Sequence, residues 1–216
     1  MEHLKRKSKK AFHSSPESDR GVTLIELLIA MAVGLVLLGA MYSVFTVQNK
    51  TFGTQEQIAE MQQNARAAMD LMTREIRMAG YDPLGSAGAG VVSAASDSIN
   101  FTLDITDDNG TGSSNGDTGD SNENITYSLY TIDGIQKLGR KSKADAINQP
   151  VAEHVQSLAF QYWDANGGTP ATAADVRLIQ VAITVQTARP DPDYTPNGGY
   201  RTYTLTSVIT PRNLGL

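Results

Sequence analysis

The 216-residue chain has no cysteine, which excludes disulfide staples, thiol nucleophiles and zinc–thiolate centres. It has three histidines, and His3 and His13 both fall in the first twenty residues. With His154 alone beyond them, no Cys–His nucleophile or multi-histidine metal site can be assembled. A Ser–His–Asp arrangement through His154 lacks the G-x-S-x-G elbow that would present its serine, so His154 reads as a surface or loop residue. No basic stripe is visible and the net charge is −5, so nucleic acid is not an expected partner. Proline is absent from residues 17–82, and charge is absent from residues 27–47. These last two absences define the chain.

Twenty-one uncharged residues, 27–47, form a helix of about 30 Å, enough to cross a bilayer core. The run is too long for an ordinary signal-peptide core, and no A-x-A-type site closes it. Before it lie Lys5, Arg6, Lys7, Lys9, Lys10 and Arg20 against Glu2, Glu17 and Asp19, a net of +3. Taking that +3 from the whole chain's −5 leaves −8 for the remainder. This asymmetry predicts a cytoplasmic leader and an exported C-terminal part. The junction itself is Gly21-Val22-Thr23-Leu24-Ile25-Glu26. A carboxylate at such depth costs roughly 2.5–3.5 kcal/mol in hydrocarbon. Two readings account for it. Glu26 caps the helix N-terminus, where negative charge suits the dipole; or it is the counter-charge for an ammonium created on Val22 by cleavage after Gly21, one helical turn away.

The stretch from Gly21 to about Gly39, opening with the pattern G-V-T-L-I-E-L-L-I-A-M, resembles the class III signal of type IV pilins and type II secretion pseudopilins. The resemblance implies that a prepilin peptidase cuts after Gly21 and methylates Val22. It also implies that Glu26 pairs with the N-terminal amine of a neighbouring subunit during assembly. Two departures from the family pattern stand out: Val22 where the first mature residue is usually Phe, and a long leader of 21 residues.

Removing 21 of 216 residues leaves 195, room for one long helix and one modest globular domain. The expected organisation is a cleaved basic, Ser-rich and disordered leader over 1–21, a helix over 22–80 with its transmembrane part at about 24–47, and an exported β-rich domain over 81–216. Past the membrane part, Ile58, Met61, Ala65, Ala68, Met72, Ile76 and Ala79 recur at spacings of three and four, an amphipathic stripe. The stripe alone also fits a stalk or coiled coil. Gly80 followed by Tyr81-Asp82-Pro83 is a stop signal. Gly34 and Gly39 would permit close helix packing within the membrane, though glycine is common there.

Strands are expected at 98–105, 124–131, 156–163, 177–186 and 200–210. A short strand at 135–138 would close a hairpin through Asp133-Gly134. Residues 151–155 read as a helical turn. The fold class is therefore α+β, a long N-terminal helix packed on an antiparallel sheet, as in pilins. Phe160, Tyr162 and Trp163 read as sheet core and rim. The stretch 191–199 is an exposed loop and a candidate subunit contact.

The stretches 55–57, 68–70 and 74–83, with the ending Pro211-Arg212-Asn213-Leu214, resemble PilW-type minor pilins and GspJ-type pseudopilins. This resemblance implies a non-enzymatic minor subunit in an initiating or tip complex of a type IV pilus or a type II secretion pseudopilus. It would sit in the inner membrane as a single-pass protein with its C-terminal domain in the periplasm, until drawn into a filament. Its partners would be the prepilin peptidase, other major and minor pilins or pseudopilins, the inner-membrane assembly platform and the lipid bilayer. The rival from another class is a signal-anchored exported enzyme or binding (adhesin) domain, with the helix as a stalk.

No cofactor is required by any of these readings. One loop is crowded with oxygen ligands: Asp104, Asp107, Asp108, Asn109, Asp117, Asp120, Asn122 and Glu123, among Gly110, Gly112, Gly116 and Gly119. Calcium would suit such a loop, with Asp117, Asp120 and Glu123 as ligands. EF-hand spacing fails at every glycine, and a solvated acidic loop explains the composition as well.

Overall fold

A computed structural model describes residues 21–108, 112–143 and 145–215; the disorder expected of the leader, and the acidic-loop residues Asn109 and Gly110, lie outside the described residues. One helix, α1 (Leu24–Met78), runs for 55 residues. The chain divides into two compact units at Lys50/Thr51, within that helix.

From Leu24 on, the first unit is bare helix. Every large apolar side chain from Leu24 to Val47 is exposed. Such a surface suits hydrocarbon or the packed helices of an assembly, and not water.

In the second unit the helix is one wall of the core. Met61, Ala65, Ala68, Met72, Ile76 and Ala79 are buried and Ile58 packs against them, as the stripe predicts. Met69 joins them. The alanines at 65 and 68 are completely buried.

Eight antiparallel strands form two sheets. β1 (Val91–Ala94), β2 (Ile99–Thr102), β3 (Asn124–Ile132), β4 (Ile135–Ser142) and β5 (Gln149–Glu153) follow one another as a meander. β6 (Val155–Trp163), β7 (Leu178–Gln186) and β8 (Thr202–Ile209) form the second sheet in the same manner. Residues 151–155, read above as a helical turn, belong instead to β5 and β6. Leu138 pairs with Ala152 and Lys137 with Glu153 across the β4–β5 ladder, and the last pair also closes an ion pair. Ladder bonds to β4 outweigh the local helical preference of Val-Ala-Glu.

His154 alone separates β5 from β6. Its φ of +54° turns the chain out of one sheet and into the other, and its carbonyl accepts from the Gln186 amide at 2.9 Å. The single expected sheet is therefore two. The Asp133-Gly134 hairpin forms as expected: Ile132 pairs with Ile135, and both turn residues have positive φ, the type I′ geometry that matches strand twist.

The helix end and the chain end meet. Gly80 takes φ +78°, and its amide donates to Thr102 O at 2.9 Å. The Arg212 amide donates to Arg77 O at 3.0 Å, and Asn213 Nδ2 donates to Met78 O at 3.3 Å. The tail thus caps carbonyls that the helix leaves open. A β-carbon on Gly80 would lie 2.5 Å from Leu214 Cδ2 and 3.1 Å from Asn213 O. Gly80→Ala is expected to cost about 1–3 kcal/mol from the left-handed backbone alone, read as a lower urea midpoint with unchanged slope.

Candidate functional site

The helix N-terminus is built by a reciprocal cap. Leu27 N donates to Thr23 O at 3.1 Å, the first intrahelical bond, so Thr23 is the N-cap and Glu26 stands at N3. The Thr23 amide donates to Glu26 Oε2 at 2.9 Å, and the Glu26 amide donates to Thr23 Oγ1 at 3.3 Å. The Thr23 hydroxyl also donates to Oε2, at 2.8 Å. This is a capping box. Gly21 and Val22 precede it, exposed and outside the helix, and among the described residues nothing lies within 4 Å of where a Gly21 β-carbon would sit. Among the described residues, the Gly21–Val22 bond is therefore exposed, immediately before the capped helix start. The cap satisfies Glu26 within one chain, as the first of its two readings requires. The second reading concerns a new ammonium one residue before the Thr23 amide that this carboxylate already binds.

A second polar centre ties the helix to the first sheet. Arg140 Nε on β4 donates to both Glu75 oxygens at 3.0 Å, and the Tyr127 hydroxyl on β3 donates to Glu75 Oε2. Arg140 Nη2 reaches Asn122 Oδ1 at 3.2 Å. Burial pushes the Tyr127 hydroxyl far above the ordinary tyrosine range, and the Glu75 charge and hydrogen bond push it the same way. Tyr127 is therefore a fixed donor at any physiological pH. Nothing in the sequence marks this trio, whose members are 52 and 65 residues apart.

In the acidic loop, two buried carboxylates act as staples. Asp104 accepts from the Asn115 amide at 3.1 Å and the Gly116 amide at 3.0 Å. Glu123, expected beside Asp117 and Asp120, faces inward instead. Its Oε1 accepts from the Ile105 and Thr106 amides at 2.9 and 2.8 Å and from the Thr106 hydroxyl at 3.1 Å. Its Oε2 accepts from the Asp120 amide at 3.0 Å. A fully buried carboxylate must be satisfied in this way, and both of its oxygens are engaged by the chain itself.

The carboxylates that do converge are Asp108, Asp117 and Asp120, each with an oxygen within 4.8 Å of the others. Three monodentate carboxylates supply at most half of the six to eight oxygens calcium takes. A cation of the chain itself comes near: Asp117 Oδ1 and Lys143 Nζ lie 2.9 and 3.1 Å from the position of a Gly119 β-carbon.

Partial burial, then the charges of Asp108, Asp117 and Glu123, raise the pKa of Asp120. A raised folded-state pKa means that ionised Asp120 opposes folding at neutral pH. The opposition fades as pH falls through the raised value. Asp120→Asn is therefore expected to raise the thermal midpoint at pH 7 in calcium-free buffer. That gain should shrink on acidification and vanish below about pH 3, where the aspartate is protonated in both states.

Elsewhere, Phe160 and Tyr162 stack at 6.1 Å between ring centres. Phe160 is buried, and Trp163 lies at the rim. The 191–199 loop is pinned by Arg201, whose Nη2 donates to Asp191 Oδ2 at 2.9 Å and whose guanidinium lies 4.5 Å over the Tyr194 ring.

Comparison with known proteins places these features. Residues 18–42 match the family model described as the prokaryotic N-terminal methylation motif. Residues 54–210 match the model described as prepilin peptidase-dependent protein B. Among solved structures, the chain is similar to a type IV-like pilin from Thermus thermophilus, at 13% identity and a TM-score of 0.44. That similarity covers 71% of this chain and 98% of the other. None of the curated proteins compared with the chain matches it.

Proposed function

The chain belongs to the prepilin peptidase-dependent protein B family, and from that membership we propose that it is a minor pilin or pseudopilin, a structural subunit in the assembly or priming of a type IV pilus or type II secretion pseudopilus. The observation that carries this reading is the junction Gly21-Val22-Thr23-Leu24-Ile25-Glu26, which lies inside the methylation-motif match and is followed on the same chain by the family match. The peptidase cuts the accessible bond after Gly21, and Val22 becomes the methylated N-terminus. Glu26 then exchanges part of its local cap for the ammonium of a neighbouring subunit. Before assembly the exposed apolar half of α1 rests in the inner membrane, with the β-rich domain in the periplasm. The assembly platform draws it from there into a filament beside other pilins.

Within this class, a PilW-like or GspJ-like place is supported by the two segments that carry that likeness. The helix end around Arg77 and Gly80 and the tail Arg212-Asn213-Leu214 pack on each other, so they act as one structural element.

The test is fractionation of cells expressing the chain from its own locus, with and without its gene. A minor subunit appears in sheared filaments at low stoichiometry, and its deletion lowers filament number or secretion. A chain that stays in the membrane while filaments and secretion are normal overturns the proposal and favours the anchored-domain rival.

A further inference from the structure

A hollow of about 540 Å³ opens in the exported domain between the end of β1, the outer edge of β6 and the segment before the Ala173–Asp175 turn. Its size is that of a small-ligand site. No charged side chain lines it. The wall is formed by the half-exposed Trp163 with Pro170, and the rim carries Ser96, Gln161 and Thr169.

Some polar groups around it are already committed. The Tyr162 hydroxyl donates to Ala95 O and Ser98 O, and the Thr172 hydroxyl donates to Asp175. The side chains of Ser96, Gln161, Thr169 and Trp163 have no protein hydrogen-bond partner among the described residues. The hollow therefore combines an aromatic side chain with hydroxyl, amide and indole N–H groups that no described protein group engages.

We propose that this hollow binds a neutral sugar, with one pyranose ring stacked on the Trp163 indole and its hydroxyls bonded to Thr169, Ser96 and Gln161. A sugar ring presents an apolar C–H face to an aromatic and polar groups around its edge, and this wall offers the complement of both. No cation lines the hollow, and of the charges next to its lining residues in sequence Asp97, Asp164 and Asp175 are acidic, while the Arg177 guanidinium is engaged by the Ala174 and Val176 carbonyls; a neutral ligand suits that setting better than an anion. An extended peptide adding to the sheet edge is disfavoured too, because the outward Phe160 amide is already bonded to Ser96 O at 2.8 Å. The inference goes beyond the assembly role and stands independently of it, so either can fail alone.

Trp163 is the only tryptophan in the chain, so its emission reports on this hollow. The detergent-solubilised full chain is titrated with glucose, galactose, mannose and N-acetylglucosamine, and with N-acetylneuraminic acid and an uncharged Ser/Thr pentapeptide for comparison. A saturable change with at least one neutral sugar is expected, half-complete at about 1–10 mM, typical of a shallow site. Thr169→Val and Ser96→Ala, both at exposed positions, are each expected to weaken it severalfold, and together at least about tenfold, or 1.4 kcal/mol. No saturable response to any neutral sugar overturns the proposal. So does a response confined to the acidic sugar or the peptide, or one unchanged in the double variant.

Discussion

Glu26→Gln is expected to be cut after Gly21 like the wild type, yet to enter filaments about a hundredfold less. The glutamine keeps the cap, because its amide oxygen still accepts from the Thr23 amide that now bonds Glu26 at 2.9 Å. What it loses is the charge. In an assembled filament the neighbour's ammonium would face a neutral partner in an apolar environment, at a cost of about 2.5–3.5 kcal/mol, or roughly two orders of magnitude in partitioning. Glu26→Ala removes cap and charge together, and should be only slightly worse. Quantitative immunoblotting of sheared filaments against membranes reads the difference. Near-normal incorporation of the glutamine variant would mean that Glu26 serves the helix start alone.

Glu75→Ala is expected to lower stability by about 2–3 kcal/mol, between the small worth of exposed ion pairs and the 3–5 kcal/mol of fully buried ones. Side-chain exposures of 22% for Glu75 and 16% for Arg140 set that intermediate value. The cost arises because the variant leaves the fully buried Tyr127 hydroxyl and the Arg140 guanidinium without their acceptor. Glu75→Gln should fall between, since it still accepts from Tyr127 but no longer neutralises Arg140. Urea unfolding of the solubilised chain checks both. A loss under about 1 kcal/mol for the alanine variant would show that water replaces the lost carboxylate, and that the helix is held to the first sheet by apolar packing alone.

What the sequence made legible was what is written locally. The three-four stripe from Ile58 to Ala79 foretold which helix face is buried, because a helix repeats its face within a few residues. The Asp133-Gly134 turn foretold its hairpin, because two adjacent positive-φ residues are a chemical requirement of that turn. Pairings across long separations were not legible. The β5 strand depends on β4 being beside it, so Val-Ala-Glu read alone suggested a helical turn. Short β1, only four residues long, carries too little pattern to separate it from a loop. Glu123 looked like a ligand among ligands until its four donors from residues 105, 106 and 120 were in place. The capping role of Glu26 was visible as Thr-x-x-Glu; its partner after cleavage belongs to another molecule.

The central claim is that Gly21–Val22 is a processing site, and the most direct test is the N-terminal sequence and intact mass of the full chain expressed with and without an active prepilin peptidase. The account predicts an untouched chain without the enzyme. With it, the chain should begin at Val22 and be heavier by one methyl group than the bare cleavage product. A chain that keeps Gly21 and its basic leader in the presence of active peptidase would contradict the account, and leave the helix as the anchor of an exported domain.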